Sequence, residues 1–158
     1  MDFIKYLFSN HVLNTASLGW FIAQFLKGLI ASVRARRLLV DRFFGAGGMP
    51  SSHGAFVAAL TTAVLFTDGF ASSSFAIAAV LAFIVLYDAS GVRYAVGQQA
   101  KILNTFNRVY EEVYEEDKLF EKDLKELIGH TKMEVTVGCI LGVLIAICYY
   151  MILWRVRG

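Results

Sequence analysis

The residues with the most chemistry to offer are two histidines, and each stands where a polar turn meets an apolar run. His53 lies in residues 45–56, GAGGMPSSHGAF, after glycines and Pro50, Ser51 and Ser52. The proline and serines suit the first turn of a helix, where a missing N–H costs little and a hydroxyl can cap. A helix start favours an anion, glycine lets the backbone approach it, and imidazole exchanges a proton near neutral pH. The stretch therefore predicts an anion site that holds an acid–base group.

Two other interpretations of this stretch fit less well. A glycine-rich loop with an ordinary helix cap accounts for the glycines and serines but leaves His53 unexplained. Nucleotide-binding motifs fail, because Pro50 occupies the last glycine position of GxGxxG and no GK[ST] follows.

His130 repeats the arrangement in ELIGHTKMEV, residues 126–135, where it follows Gly129 at a predicted helix start. Glu134 comes four residues later, one helical turn away. A carboxylate at that spacing holds the ring in one tautomer and stabilises its charged form, as in nucleophile–base pairs. A His–Glu pair at this spacing is more often a surface contact than a functional site. The position of this pair opposite His53 is what favours a functional site here.

The elements that position these histidines are apolar helices. The chain has 158 residues, of which 57% are hydrophobic and 18% charged, too apolar for an ordinary soluble domain. A membrane span needs about 20 mainly apolar residues. Four segments are predicted to span the membrane, namely residues 11–33, 51–66, 75–96 and 135–154. A soluble helical bundle is the alternative, and the run VTVGCILGVLIAICYYMILW argues against it.

Residues 98–128 have a different pattern, with apolar side chains at a helical period and charged side chains on the other faces. We expect an amphipathic helix on the cytosolic side, with a break near Asp117. Its apolar positions are Ile102, Phe106, Val109, Val113, Phe120, Leu124 and Leu127. The predicted fold is therefore a single-domain, all-α polytopic membrane bundle over residues 1–158, with about four transmembrane helices plus this helix.

The distribution of lysine and arginine predicts the orientation. The loops after the first and third spans, with Arg93 at the membrane edge, carry eleven of these residues. The opposite side carries Lys5, Arg155 and Arg157. The first side is therefore predicted to be cytoplasmic, with both termini on the other side.

The four-span arrangement brings the remaining ionisable residues to the same cytoplasmic face. Lys27 and Arg34 end the first span, and Asp88 and Arg93 end the third. Charged groups at membrane depth are costly and indicate function by default, although each can also be a structural pair or a snorkelling side chain. For Asp88 we favour a structural pair with Arg93 or Lys27.

As a whole the sequence resembles the divergent, small-membrane-protein branch of the type 2 phosphatidic acid phosphatase superfamily, which is related to acid phosphatases and vanadium-dependent haloperoxidases. The resemblance rests on WFIAQFLK, GGMPSSHGAFVAAL, VLYDASGVRYAVGQQAKILN and ELIGHTKMEVTVG. The first superfamily motif resembles Lys27 and Arg34, with Ala35 in place of a proline. The second resembles residues 50–53, with Ser52 in place of a glycine. In the third, His130 matches the histidine and Glu134 replaces an aspartate.

The third motif also lacks its arginine, since Leu124 stands there. Arg93, from the third span, is the candidate substitute.

The resemblance implies a metal-independent phosphatase that needs no cofactor. His130 would attack phosphorus to form a phosphohistidine, Glu134 would orient it, and His53 would protonate the leaving alkoxide. The phosphoryl oxygens would be neutralised by a set of cationic and hydroxyl groups, namely Lys27, Arg34, Arg93, Ser51 and Ser52.

The predicted function is hydrolysis of a membrane lipid phosphomonoester such as phosphatidylglycerol phosphate or phosphatidic acid. The alternatives are a polyprenyl pyrophosphate phosphatase, a non-catalytic protein that retains the phosphate pocket, and a small transporter or channel subunit. The expected partners are the bilayer and the lipid substrate, and a second copy of the chain is a further candidate partner. The net charge of +2 and the lack of a basic patch argue against nucleic acid.

Overall fold

The computed structural model describes residues 9–45, 47–114, 122–126 and 128–157, and these form helices joined by short turns, with no strand among them. The helices are α1 (His11–Ala35), α2 (Asp41–Phe44), α3 (Ser52–Asp68), α4 (Ser73–Tyr87), α5 (Arg93–Tyr114) and α6 (Lys132–Arg157). A π-helical segment, Asp88–Val92, joins α4 to α5 without a break. The all-helical membrane fold predicted from the sequence is confirmed.

Three helices in the described part of the chain are long and apolar enough to cross a membrane: His11–Ala35, the continuous helix Ser73–Val113, and Lys132–Val156. The second predicted span, 51–66, forms α3, which has only 17 residues and is about 26 Å long. This helix packs against α1, α4 and α6, so it lies in the centre of the bundle. The predicted count of four spans is therefore not confirmed.

Small residues bring α3 and α6 into backbone contact. A Cβ atom on Gly138 would lie 2.3 Å from the carbonyl oxygen of Ser51, and one on Gly142 would lie 2.3 Å from that of Ala55. Only glycine fits at these two positions. This spacing, glycine at every fourth residue, is the one that lets membrane helices approach closely. It holds the first turn of α3 against the first turns of α6.

The predicted amphipathic helix over residues 98–128 is wrong for residues 122–126. Helix α5 is described as far as Tyr114, and residues 122–126 are not helical but lie alongside α5. The Asn104 side chain accepts a hydrogen bond from the Leu124 N–H at 2.8 Å and donates to the Leu124 carbonyl at 2.9 Å. These bonds replace the helical ones that the periodicity predicts. Asp117, where the break was expected, lies outside the described residues.

Candidate active site

Four segments distant in sequence meet at one end of the bundle. The Ser51 N–H donates to the Glu134 carbonyl at 3.1 Å, which joins α3 to α6. The Lys27 ammonium donates to Ser52 Oγ at 3.3 Å, which joins α1 to α3. The His130 N–H donates to the Ala89 carbonyl at 3.0 Å, which joins the π-helical segment to the turn before α6. Both predicted histidine sites therefore lie at the same end.

A cavity of about 360 Å³ with several charged lining residues opens between these segments. Three cationic residues line it, Lys27, Arg34 and Arg42, and the opposite wall includes Thr131 and Glu134. The remaining wall is the predicted glycine turn together with residues of α5 and of the segment before α6, among them Gly47, Gly48, Tyr94, Gln98 and Glu126.

The glycine turn adopts a conformation that side chains disfavour. Gly47 has φ 77° and Gly48 has φ 88°, both in the left-handed region that suits glycine. A Cβ on Gly48 would lie 3.6 Å from Lys27 Cγ, so the turn lies directly against the lysine stem. The turn thus presents backbone to the cavity, as the sequence predicts for an anion site.

Lys27 is almost wholly buried, with 3% of its surface exposed. Its ammonium group donates to Gln24 Oε1 at 3.0 Å, to the Gly45 carbonyl at 3.4 Å and to Ser52 Oγ. These three oxygens are neutral, and Glu134 is the acidic residue whose charge acts on the ammonium. The side chain lies inside the protein and not towards lipid.

His53 and His130 form a close pair. Their ring centroids are 5.8 Å apart and their planes are inclined by 71°. Within the part of the chain that the structure describes, His53 Nδ1 and His130 Nε2 are buried without a hydrogen-bond partner, and His130 Nδ1 has only the Glu134 carboxylate at 3.5 Å. Buried polar atoms are nearly always paired, so the two unpaired nitrogens mark this pair as a candidate site.

Helix α6 begins with a capping box, and this box also positions Glu134, whose carboxylate faces His130. Glu134 Oε2 accepts the Thr131 N–H at 2.9 Å, while Thr131 Oγ1 accepts the Glu134 N–H at 3.3 Å. The same Glu134 oxygen lies 3.5 Å from His130 Nδ1. The carboxylate is therefore held by the cap and faces the Nδ1 side of the ring, which leaves Nε2 on the other side.

The ring of His130 has no exposed surface. This burial lowers the pKa of His130 below its usual value because the charged imidazolium loses its hydration, and the positive charge of Lys27 lowers it further. The charge of Glu134 acts in the opposite direction. His130 is therefore neutral at neutral pH, with a lone pair on one nitrogen.

His53 faces a second, apolar space. A groove of about 410 Å³ runs between α1, α3 and α4, and His53 is its one titratable lining residue. The other lining residues are Trp20, Phe56, Val57, Leu81 and Val85. His53 thus lines the apolar groove, whereas the cationic cavity is lined by the neighbours of His130, Gly129 and Thr131, and by neither histidine ring.

Arg93 and Asp88, the two charged residues predicted at the end of the third span, form an ion pair with each other. Both side chains are about half exposed, and neither lines the polar cavity. Their charges act on His53, so the pair lies on the His53 side of the site. This arrangement agrees with the structural role favoured for Asp88.

The two serines of the predicted site have different surroundings. Ser51 is fully buried, and its hydroxyl caps α3 by accepting the Gly54 N–H at 3.2 Å. Ser52 instead presents its hydroxyl to the Lys27 ammonium. Pro50 lies one residue before the cap and not in the first turn of the helix. Of the two serines, only Ser52 thus contacts a cationic group, and neither lines the cavity.

Sequence reasoning missed four features of the site. Arg42 was not singled out, and no local pattern marks it, because only the folded loop brings it to the cavity. Gln24 was not singled out either; it lies one helical turn before Lys27 on α1, and its role shows only in its hydrogen bond to the Lys27 ammonium. The capping box of Thr131 and Glu134 was readable as a T-x-x-E motif. The π-helical segment was not predicted, although the short sequence DASGV, with its glycine and serine, weakens a regular helix there. Among the described residues no group of three or more His, Cys, Asp or Glu could hold a metal ion.

Comparison with known proteins gives two findings. Residues 8–145 match the sequence profile of a family described as "Divergent PAP2 family". The chain is also similar to the "Uncharacterized membrane protein YuiD" of Bacillus subtilis (strain 168), with 38% identity over 149 residues that cover 89% of this chain and 94% of the relative. No solved structure matches.

Proposed function

The chain belongs to the Divergent PAP2 family, a divergent branch of the type 2 phosphatidic acid phosphatase superfamily, and on that premise we propose that it is an integral-membrane lipid-phosphate phosphatase. The reaction proposed is hydrolysis of a phosphomonoester through a phosphohistidine on His130. The preferred substrates are phosphatidylglycerol phosphate and phosphatidic acid.

One observation carries this proposal: in the buried pair of His53 and His130, His53 lines the apolar groove, and the residues on either side of His130, Gly129 and Thr131, line the cationic cavity. A lipid phosphate has the same two-part character, with a dianionic head and a hydrocarbon body. A phosphate in the cavity beside Lys27 and a chain in the groove beside Trp20 would place the ester oxygen close to His53. A free phosphate would occupy only the cationic cavity, and a neutral lipid would occupy only the apolar groove.

The proposed first step makes one bond and breaks one bond. Nε2 of neutral His130 attacks phosphorus as the ester P–O bond breaks, and His53 gives its proton to the departing alkoxide. In the second step water attacks the phosphohistidine while His53 takes up the water proton. The P–N bond breaks, inorganic phosphate leaves, and both histidines return to their starting states.

Stabilisation of the phosphoryl oxygens is the main catalytic requirement of such a reaction. Lys27, Arg34 and Arg42 line the cavity and supply three positive charges, and the N-terminal end of α3 adds its dipole. Ser52 is placed to donate once the anion draws the Lys27 ammonium towards itself. Arg42 thus provides a cation that the altered third motif lacks, and we propose it, rather than Arg93, as the replacement.

A second candidate function is a non-catalytic protein that binds a lipid phosphate. It is favoured by the complete burial of the His130 ring, since attack requires the ring to be uncovered, and by the engagement of Glu134 in the helix cap. A polyprenyl pyrophosphate phosphatase remains a third candidate, because the same two spaces suit a lipid pyrophosphate.

The direct test is phosphate release from a panel of lipid phosphates by the detergent-solubilised protein. We expect release by the wild type and none by His130→Ala. The matched control is His11→Ala, which removes a histidine that is paired with Tyr149 at the other end of the bundle and outside both cavities. Equal activity in all three proteins would exclude the phosphohistidine, and binding without release would establish the non-catalytic candidate.

A further inference from the structure

One face of the π-helical segment and α5 is exposed along its whole length and is largely apolar. Its large members are exposed by 69% (Ile102), 56% (Phe106), 49% (Val109) and 65% (Val113). Towards the membrane the same face continues through exposed Gln99, Ala95 and Gly91. At about 100° per residue these seven positions fall within an arc of about 80°. We refer to these seven residues as the α5 face.

The opposite side of α5 is already covered by its own chain. Gly97, Ala100, Asn104 and Asn107 are buried there, and Asn104 holds the segment 122–126 through hydrogen bonds to Leu124 and Glu126. A Cβ on Gly97 would lie 2.4 Å from the Glu126 carbonyl, so this contact is tight. The exposed side is therefore the one left for a partner.

Packing within one copy of the chain does not require a glycine at position 91. It lies in a helical segment, its φ is not positive, and a Cβ added there would meet nothing within 4 Å. Glycine inside a helix costs about 1 kcal/mol relative to alanine. Close approach of another helix backbone would explain a glycine here, since small residues line such contacts in membrane proteins. Ala95 lies one helical turn further along the same face.

The spacing of the large side chains is that of a two-helix seam. Ile102, Phe106, Val109 and Val113 are separated by four, three and four residues, the a/d spacing of a heptad repeat. Gln99 continues the repeat, and a single polar residue at such a position sets register and favours one oligomeric state. A heptad seam is complementary to a copy of itself.

The α5 face is less suited to contact with the membrane surface than to contact with a second copy of the chain. Helix α5 continues the apolar helix α4 without a break and makes extensive contact only with the π-helical segment among the described helices, so it extends beyond the bundle. An interfacial helix instead lies in the membrane plane with Lys and Arg on its polar side. The outer end of α5 carries Glu111 and Glu112, which an anionic leaflet would repel.

We propose that the protein is a parallel homodimer in which the α5 faces of two copies pack against each other about an axis normal to the membrane. The contact runs from Gly91 to Val113, about 33 Å of helix. Confinement of both copies to one bilayer raises their effective concentration, so a seam of this length suffices. The proposal does not depend on phosphatase activity.

The test is disulfide cross-linking in native membranes, in a background that lacks Cys139 and Cys148. Gln99→Cys and Val109→Cys place thiols on the α5 face, and Lys101→Cys and Arg108→Cys are matched controls on exposed positions of the same helix outside it. Mild oxidation should give a dimer for the first two variants and not for the controls. Any other pattern, including cross-links at none or at all four positions, overturns the proposal.

A mass measurement in detergent provides the second test. Gly91→Leu fills space that is open in one copy, so it should fold normally and yet convert the dimer to a monomer, and Phe106→Glu should do the same. Lys101→Leu adds the same side chain outside the α5 face and should remain dimeric. A dimer that survives Gly91→Leu and Phe106→Glu, or a wild type that is a monomer, overturns the proposal.

Discussion

At the scale of single residues, the site consists of two histidines with different surroundings. His130 is held by its backbone to Ala89 and faces Glu134 on its Nδ1 side, whereas His53 borders the apolar groove. In the proposed mechanism this difference separates the nucleophile from the acid, since the leaving group belongs to the lipid. We make one prediction for each of the two histidines.

For His53 we expect a loss that depends on the leaving group. His53→Ala should lower phosphate release from a lipid alkyl phosphate by roughly 100-fold or more, because an alkoxide needs a proton to depart. An aryl phosphate such as p-nitrophenyl phosphate should be affected much less, since its phenolate departs unprotonated. Equal losses on both substrates would mean that His53 acts in some other way than as the acid.

For His130 we expect a pKa below the usual histidine value of about 6.5. Burial and Lys27 lower the pKa, so the folded protein binds this proton less readily than the unfolded chain. The contribution of His130 to the free energy of unfolding is therefore intact above about pH 6.5 and falls as the pH drops below that value. Ring-proton NMR of the protein in detergent measures the midpoint, and Lys27→Gln should raise it. A midpoint at or above 6.5 in the wild type would contradict this assignment.

At the scale of elements, the position of α3 decides the site. This short helix is enclosed by α1, α4 and α6, and its first turn is held by Ser51 against Glu134 and by Ser52 against Lys27. The π-helical segment has a matching role on the other side, since its Ala89 carbonyl accepts the His130 N–H. π-Helical turns are often found at functional sites for this reason.

Enlarging the contact between α3 and α6 should therefore damage the site from a distance. Gly138→Ala would place a methyl group 2.3 Å from the Ser51 carbonyl, and overpacking of this kind typically costs about 1–3 kcal/mol. We expect a lower midpoint of thermal unfolding in detergent together with reduced phosphate release. Ile140→Ala, on the exposed side of the same helix, is the control and should change neither. An unchanged midpoint for Gly138→Ala would mean that the two helices are not in backbone contact.

At the scale of the whole molecule, the ends of the bundle differ in charge. The topology predicted from the sequence assigns eleven lysine and arginine residues to the side that holds the site, and this excess predicts that this side faces the cytoplasm. The predicted substrate therefore comes from the cytoplasmic leaflet, where newly made lipid phosphates arise. Carrier recycling by a polyprenyl pyrophosphate phosphatase would require the opposite orientation.

Labelling of single cysteines tests this orientation, again in a background without Cys139 and Cys148. We expect an impermeant thiol reagent on intact cells to label Ser73→Cys and a cysteine added after Arg157, and to spare Arg36→Cys. A permeant reagent should label all three and serves as the control. Labelling at Arg36→Cys alone would invert the topology and make polyprenyl pyrophosphates the preferred substrates.

The sequence by itself determined the features that depend on local pattern. Apolar runs predict the membrane helices, and the motifs around His53 and His130 indicate the family, which the profile match confirms. The glycine turn was also readable, because a positive φ restricts the residue type at Gly47 and Gly48. Two readable signals were missed, the T-x-x-E cap at Thr131 and the paired glycines at positions 138 and 142.

Only the tertiary structure decided which of these features meet. Local periodicity predicted a helix that includes residues 122–126, where the structure has none because hydrogen bonds between Asn104 and Leu124, far apart in the chain, outweigh the helical pattern. Tertiary packing likewise brings Arg42 to the wall of the cavity and encloses α3 between other helices. Each depends on packing between segments that are distant in sequence, and no window of residues along a single chain records such contacts.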